Sequence, residues 1–264
     1  MLLITNDKES CGRLTPAGHE PKANPYGGRA ALAHSAYVVP GALSSEVEDV
    51  FRAFVNGDEF ACLGAKASVA TGKYRLGIYD KLATANATAG LTRDLYTFSQ
   101  EQERMHSDFT TFVAVFLRSR PRSALSFERA LWKQLQSLHD EDRLHDAWDA
   151  RVSADPYDRK FSFSFAGKAF FVVGLHPCSP RKSRRFRWPA LVFNAHHQFD
   201  SLRSKGQFER LRDTIRRREM RLQGDINAEV ADFGESSEAR QYSGRRTEDG
   251  WRCPFKPRHS PSVH

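Results

Sequence analysis

Segment 174–186, GLHPCSPRKSRRF, places a histidine and several arginines directly after an apolar stretch. His176 stands where a buried strand is expected to end, a position that suits a metal or heme ligand or an acid–base group. The alternative is a structural histidine whose ring nitrogens are satisfied by hydrogen bonds. Arg181, Arg184 and Arg185 follow. Their guanidinium groups could pair with carboxylates or phosphates, or they could form a solvated basic loop.

Segment 251–255, WRCPF, places Cys253 between aromatic residues and directly before a proline. Pro254 cannot donate a backbone hydrogen bond and fixes the local turn. A thiolate in this setting could bind heme iron, and the alternative is a buried, unreactive cysteine that anchors the tail. Cys62, in the apolar stretch FACLGAK, is interpreted as structural. The cysteines form no CxxC pair, so the pattern predicts neither a disulfide framework nor a structural zinc site of the usual spacing.

Two further segments gather polar side chains. In 194–199, NAHHQF, His196 is expected near the end of a strand, but the spacing is not that of a zinc-binding HExxH motif, so the indication of a metal site is weak. Segment 232–246, DFGESSEARQYSGRR, contains Glu235 and Glu238 among many hydrogen-bonding side chains. This density of donors and acceptors predicts a polar network.

The hydrophobic pattern outlines the helices and strands that must position these segments. Helical spacing predicts a helix from Ser45 and another over 126–150. A long helix is expected over 198–223, with an interruption at Gly206. Strand patterns occur at 60–69, 74–79, 110–117, 160–165, 168–176 and 189–197. The two that flank Gly167 form the clearest hairpin.

Helices and antiparallel-looking strands alternate irregularly along the chain. This favours a single-domain α+β fold with a central, largely antiparallel sheet flanked by helices. The domain is expected over residues 45–255. Residues 1–44, which contain several prolines and glycines, are expected to form a poorly ordered N-terminal arm, and 256–264 a C-terminal tail.

Composition limits the classes of function. The formal net charge is +8 and the pI is about 9.5, which is compatible with nucleic acid, an acidic partner, or an anionic cofactor or substrate. No apolar run approaches membrane-spanning length, and the N-terminus does not read as a signal peptide, so a cytoplasmic, non-membrane protein is expected. The 19 phenylalanines favour a core or cavity with aromatic walls.

Five segments together resemble the YqcI/YcgG family, over roughly residues 45–255. In chain order they are FACLGAKA, FFVVGLHPCSPRKSRRFRWPALVFNAHHQFDSLR, IRRREMRLQGDIN, FGESSEARQYSGR and WRCPF. The better-understood family members are similar to heme-dependent N-hydroxylases, among them the pre-guanitoxin N-hydroxylase and the arginine hydroxylase of the D-cycloserine pathway. The chain departs from the expected pattern at Ala61, where a proline is expected, and at Ala228 and Glu229, where a Pro-containing turn is expected.

The resemblance implies a heme-dependent monooxygenase that uses heme b and dioxygen to hydroxylate a nitrogen of arginine or another small guanidine compound. It directs the search for the iron ligand to three positions: His176, His196 and Cys253. A thiolate, which favours O–O cleavage, points to Cys253, and a neutral imidazole points to His176. Both stay open.

The same resemblance implies roles for charged residues. Arg181, Arg184 and Arg185 would pair with the heme propionates, and Glu235 and Glu238 would grip the guanidinium group of the substrate. The sequence has no GxGxxG motif for a flavin or nicotinamide cofactor, so an external electron donor or reductase, or a peroxide route, is implied.

Two alternatives remain. The chain could be a heme-binding or heme-sensing protein without turnover. It could also be a nucleic-acid-binding module that uses the basic helix 207–222, although the consecutive residues Arg216, Arg217 and Arg218 point around the helix axis and no known nucleic-acid-binding motif accompanies them.

Overall fold

The computed structural model describes residues 24–26, 41–225 and 234–258. The described helices are α1 (Gly41–Asn56), α2 (Leu63–Ala70), α3 (Ala85–Glu101), α4 (Ala124–Asp142), α5 (His196–Ser204), α6 (Phe208–Gln223) and α7 (Ala239–Tyr242). Short 3-10 turns lie at Gln102–Arg104 and Lys182–Arg184. The strands are β1 (Tyr74–Tyr79), β2 (Thr111–Phe116), β3 (Phe163–Phe165), β4 (Lys168–Leu175) and β5 (Ala190–Ala195).

The five strands form one sheet in the order β1-β2-β5-β4-β3. The β1–β2 pair is parallel, and the other three pairs are antiparallel. This confirms the predicted α+β class with a largely antiparallel sheet. The predicted strands at 74–79, 110–117, 168–176 and 189–197 are confirmed with small changes at their ends, and the strand predicted at 160–165 is confirmed over Phe163–Phe165. The tight β3–β4 turn places Ala166 and Gly167 in the left-handed region, with φ of 52° and 67°.

The two faces of the sheet pack against different layers. On one face, Phe112, Phe170 and Phe193 are fully buried in a large aromatic core together with residues of α3, α4, α7 and the C-terminal segment. On the other face, Val113 and Val192 pack against α1 and α2 in a smaller aliphatic core. Because side chains alternate along a strand, β1, β2, β4 and β5 contribute to both cores, whereas β3 contributes to the aromatic core.

Two helical segments differ from the sequence-based assignment. Residues 60–69 were predicted as a strand, but Leu63–Ala70 is helix α2. The short apolar run there is typical of a buried strand, yet alanine, leucine and lysine all favour a helix. Helix α3 was not predicted. Thr84 caps it by accepting a hydrogen bond from the Ala87 N–H, and its buried positions repeat at helical spacing.

The predicted helices at 126–150 and 198–223 are confirmed. The first, α4, ends at Asp142. The second divides into α5 and α6 at Gly206, which has a φ of +64°. Helix α1 includes Gly41, so regular structure begins before the domain start predicted at residue 45. Most of the predicted N-terminal arm lies outside the described residues.

Candidate functional site

An apolar cavity lies on the aliphatic face of the sheet, between α1, α2 and α6. It has a first chamber of about 230 Å³ and an adjoining second chamber of about 170 Å³. The register of the sheet builds its floor, because Thr111, Asn194 and Phe171 align in one row across β2, β5 and β4. The next row on this face contains Val192 and Val173, which also line the cavity. The floor is therefore rigid and largely apolar.

Helix α6 forms the outer wall of the cavity. None of its residues is fully buried, and Leu211 and Ile215 face the space between the helix and the sheet. Polar contacts at its edges hold it in place. The Arg218 guanidinium donates to the Phe60 carbonyl at 3.2 Å, and the Ser183 hydroxyl donates to Glu219 at 2.5 Å. These two hydrogen bonds hold α6 at the edges of the cavity.

Cys62 borders both chambers, directly before the first residue of α2. Burial raises the pKa of its thiol, while the backbone amides of Gly64 and Ala65 act in the opposite direction. Neither amide completes a capping hydrogen bond to the sulfur. The space next to Gly64 is narrow, since a Cβ at that position would lie 3.1 Å from the Phe109 ring. The partial positive charge at this helix N-terminus opposes the rise, but the pKa of the Cys62 thiol stays above its ordinary value.

The three arginines that were predicted to bind the heme propionates do not all lie at one site. Arg181 and Arg184 line the first chamber, together with Arg216 of α6. Arg181 forms an ion pair with Asp225, but its buried Nη2 has no hydrogen-bond partner among the described residues. Burial lowers the pKa of Arg184 to about 10. Arg185 is exposed, does not line the described cavity, and donates to the Ser179 carbonyl at 2.8 Å.

His176 is fully buried and lies outside the cavity. Its ring stacks on Phe127, with 4.1 Å between the ring centroids. Gly174 permits this contact, since a Cβ there would come within 2.5 Å of the Phe127 ring. Neither ring nitrogen has a hydrogen-bond partner among the described residues, and burial lowers the pKa of the imidazole to about 4. A neutral, enclosed imidazole is the result.

Cys253 lies in the aromatic core on the opposite face of the sheet from the cavity. Its side chain is buried, and burial raises the pKa of the thiol to about 12. It does not line the cavity that contains Cys62. The structure therefore places the predicted thiolate in a setting that favours the neutral thiol.

His196 and Glu238 come together in the structure. The Glu238 carboxylate lies 2.8 Å from His196 Nε2, and the Tyr242 hydroxyl donates to the other carboxylate oxygen at 3.2 Å. All three side chains are buried. Glu235 is exposed, so the two glutamates predicted to grip one guanidinium group lie in different environments. Strand β5 ends at Ala195 and α5 begins at His196, so His196 lies next to the strand end where it was predicted, at a strand-to-helix junction.

The basic helix predicted over 207–222 corresponds to α6, but its arginines serve different surfaces. Arg216 faces the cavity and Arg218 binds a backbone carbonyl. Arg210, Arg217 and Arg221 are exposed. Within residues 41–225 and 234–258, every helix is too short or too polar to span a lipid bilayer. Across the same ranges, no three His, Cys, Asp or Glu side chains converge as a metal-binding group would.

Sequence reasoning missed the cavity and three of the residues that line it. Cys62 was interpreted as structural because its segment was taken for a buried strand. Thr110 and Asn194 received no role. A signal for Cys62 was present, since leucine, lysine and alanines follow it and favour a helix, which would place the cysteine at a helix N-terminus. Only the sheet register brings Asn194 next to Thr111 and opposite α6.

Comparison with known proteins gives the family. The chain is 24% identical over 209 residues to the uncharacterized protein YcgG of Bacillus subtilis (strain 168), covering 76% of this chain and 82% of that one. No solved structure shows significant similarity to the chain. The family model described as YqcI/YcgG family matches residues 51–256. This match spans the sheet, the second part of α1 from Phe51 onward, and the Cys62 cavity, and the chain therefore belongs to the YqcI/YcgG family.

Proposed function

We propose that the protein is a heme-dependent monooxygenase that hydroxylates a nitrogen of arginine or another small guanidine compound. The observation that carries the proposal is the position of Cys62, a thiol at a helix N-terminus that borders an apolar cavity. This residue replaces Cys253 and His176 as the favoured iron ligand, because neither of those side chains lines the cavity.

The residues around the first chamber supply the surface chemistry that an iron porphyrin requires. Phe60, Val69 and Val173 give its walls an apolar surface suited to a macrocycle. Arg181 and Arg184 supply positive charge for propionate groups, and the buried Arg181 Nη2 is a donor that still needs an acceptor. Each chamber alone is smaller than a typical cofactor pocket of about 300 to 1,000 Å³. The two chambers share walls, however. Their outer wall is helix α6, which polar contacts hold at the edges of the cavity.

A thiolate-bound heme would supply the oxygen activation that the reaction requires. One atom of dioxygen would be transferred to the substrate nitrogen and the other would leave as water, so two electrons and two protons must enter for each turnover. An external donor or reductase would supply the electrons. Cys62 would hold the iron, the apolar walls would exclude water, and the arginines would orient the cofactor.

Glu219 is the carboxylate best placed to meet a guanidinium group. Among the described residues it is the acidic side chain that lines the first chamber, whereas Glu235 is exposed and Glu238 pairs with His196. A carboxylate can bind a guanidinium group through paired, charge-assisted hydrogen bonds. We therefore assign the substrate contact to Glu219.

The test is to express the protein with heme supplementation and measure the heme-to-protein ratio after desalting. The loaded protein is then incubated with dioxygen, an electron donor and a panel of guanidine compounds that includes arginine. Stoichiometric heme and a product that has gained one oxygen atom by mass spectrometry are expected. Heme without product would favour a heme sensor, and no bound heme would overturn the proposal.

A further inference from the structure

The second chamber differs from the first in charge. Its apolar walls come from three aromatic rings and several aliphatic side chains: Phe109, Phe171, Phe199, Val173, Leu211 and Ile215. In the described part of the chain, no Asp, Glu, Lys, Arg or His side chain lines it. The polar groups that reach this chamber are all uncharged hydroxyls and carboxamides, apart from the Cys62 thiol. Its chemistry is therefore that of a neutral, aromatic-walled site.

Thr110 contributes a hydroxyl that lacks a partner. The residue is 1% exposed and lines the chamber, and its Oγ1 forms no hydrogen bond with any described residue. Its own backbone N–H donates to Gln198 Oε1 at 3.0 Å, which fixes the residue in place. A buried hydroxyl without a partner is costly, and a bound molecule that supplies one removes that cost.

Two carboxamides complete the hydrogen-bonding set. Because Gln198 Oε1 already accepts from Thr110, its Nε2 is the atom left to donate. Asn194 Nδ2 donates to the Phe171 carbonyl at 3.3 Å, so its Oδ1 is left to accept. The other two hydroxyls of the chamber are engaged, since Ser68 and Thr111 donate to backbone carbonyls.

We propose that the second chamber is a binding subsite for an uncharged, planar polar group of the carboxamide or urea type. Such a group presents a donor and an acceptor in one plane and matches Gln198, Asn194 and Thr110. Its flat faces pack between the aromatic walls. A charged group would lose its hydration without meeting an opposite charge.

The subsite follows from the chamber alone and goes beyond the proposed function.

Benzamide and benzamidinium are suitable probes, because they have nearly the same shape and differ in charge. Binding to the full-length protein, with no heme added, is measured by calorimetry at pH 7. Benzamide is expected to bind at least tenfold more tightly than benzamidinium. Thr110→Val keeps the volume but removes the hydroxyl, and it should weaken benzamide binding by about three- to tenfold. Thr71→Val, on the exposed end of α2, should change nothing.

Asn194→Asp gives a second and independent test, because it places a carboxylate at the chamber wall. This variant is expected to reverse the preference, so that benzamidinium binds more tightly than benzamide. Circular dichroism checks that each variant is folded. Equal affinity of the wild type for both probes, no binding of benzamide, or an unchanged preference in Asn194→Asp would overturn the subsite. These results leave the heme proposal untouched, since no heme is present.

Discussion

Glu238 and His196 form a buried pair, in which a carboxylate oxygen lies 2.8 Å from Nε2 of the imidazole. The Tyr242 hydroxyl contacts the other carboxylate oxygen, so the pair ties α7 to the start of α5. The Tyr242 ring lies 5.8 Å from that of Phe171, which lines both chambers. We infer that Glu238 supports the cavity wall rather than contacting a substrate.

Glu238→Gln should therefore act on stability. The change removes a charge from a buried network and should lower the free energy of unfolding by about 1 to 3 kcal/mol, measured by urea denaturation. Glu235→Gln, at an exposed position of the same segment, is the matched control and should change it by less than about 0.5 kcal/mol. Equal effects of the two changes would contradict the buried-pair role.

Arg181 should contribute to heme affinity, because it lines the first chamber and has a buried donor without an acceptor. Arg181→Gln is expected to weaken heme binding by about tenfold or more, since a charge-assisted hydrogen bond contributes about 1.5 to 3 kcal/mol. Arg185→Gln is the control, because Arg185 is exposed and does not line the cavity. Heme titration followed by absorbance measures both. Similar losses in the two variants would remove Arg181 from the proposed site.

Asp142 should make stability depend on pH. Burial raises the pKa of its carboxyl from 3.8 to about 7, while Tyr26 and the Ala166 N–H donate to it. Between pH 4 and 7 the folded state thus binds a proton that the unfolded state has released. Asp142 therefore lowers the free energy of unfolding as pH rises through this window.

Asp142→Asn removes this titration and keeps an acceptor oxygen. Relative to wild type, the variant should gain on the order of 2 to 4 kcal/mol of stability between pH 4.5 and pH 8. His176 acts in the opposite direction, because burial lowers its pKa to about 4. The difference between variant and wild type isolates Asp142. Denaturation curves at the two pH values measure it, and parallel pH profiles would contradict the raised pKa.

A helix or strand can be predicted from the sequence when its local residue pattern determines it, and not when tertiary packing does. The alternating run before Gly167 predicts its hairpin correctly, because the turn and both strands are adjacent in sequence. The segment after Phe60 misleads, because its apolar run and its alanine content favour different structures and tertiary packing decides between them. Local signals were sufficient for most of the sheet.

The candidate site was harder to predict, because distant segments build it. Cys62 and Asn194 are far apart in the chain, and only the helix–sheet packing brings them to one cavity. Cys253 has the more suggestive local sequence, but its place in the aromatic core follows from packing that no local pattern encodes.

The cysteines should differ in reactivity toward iodoacetamide at pH 8. Cys178 is exposed and should react first, half-buried Cys62 more slowly, and Cys253 only on unfolding, because burial raises its pKa to about 12. Peptide mass spectrometry of timed samples measures the order. Heme loading should protect Cys62 alone. Protection of Cys253 instead would return it to the role of iron ligand.

The most direct test of the account is the absorbance spectrum of the heme-loaded, reduced protein with carbon monoxide, compared across the wild type, Cys62→Ser and Cys253→Ser. In heme proteins with a thiolate ligand, the reduced carbon monoxide complex gives an absorbance band at about 450 nm. The account predicts this band in the wild type and in Cys253→Ser, and its loss in Cys62→Ser. Persistence of the band in Cys62→Ser, or its loss in a folded Cys253→Ser variant, would contradict the assignment of the iron ligand to Cys62.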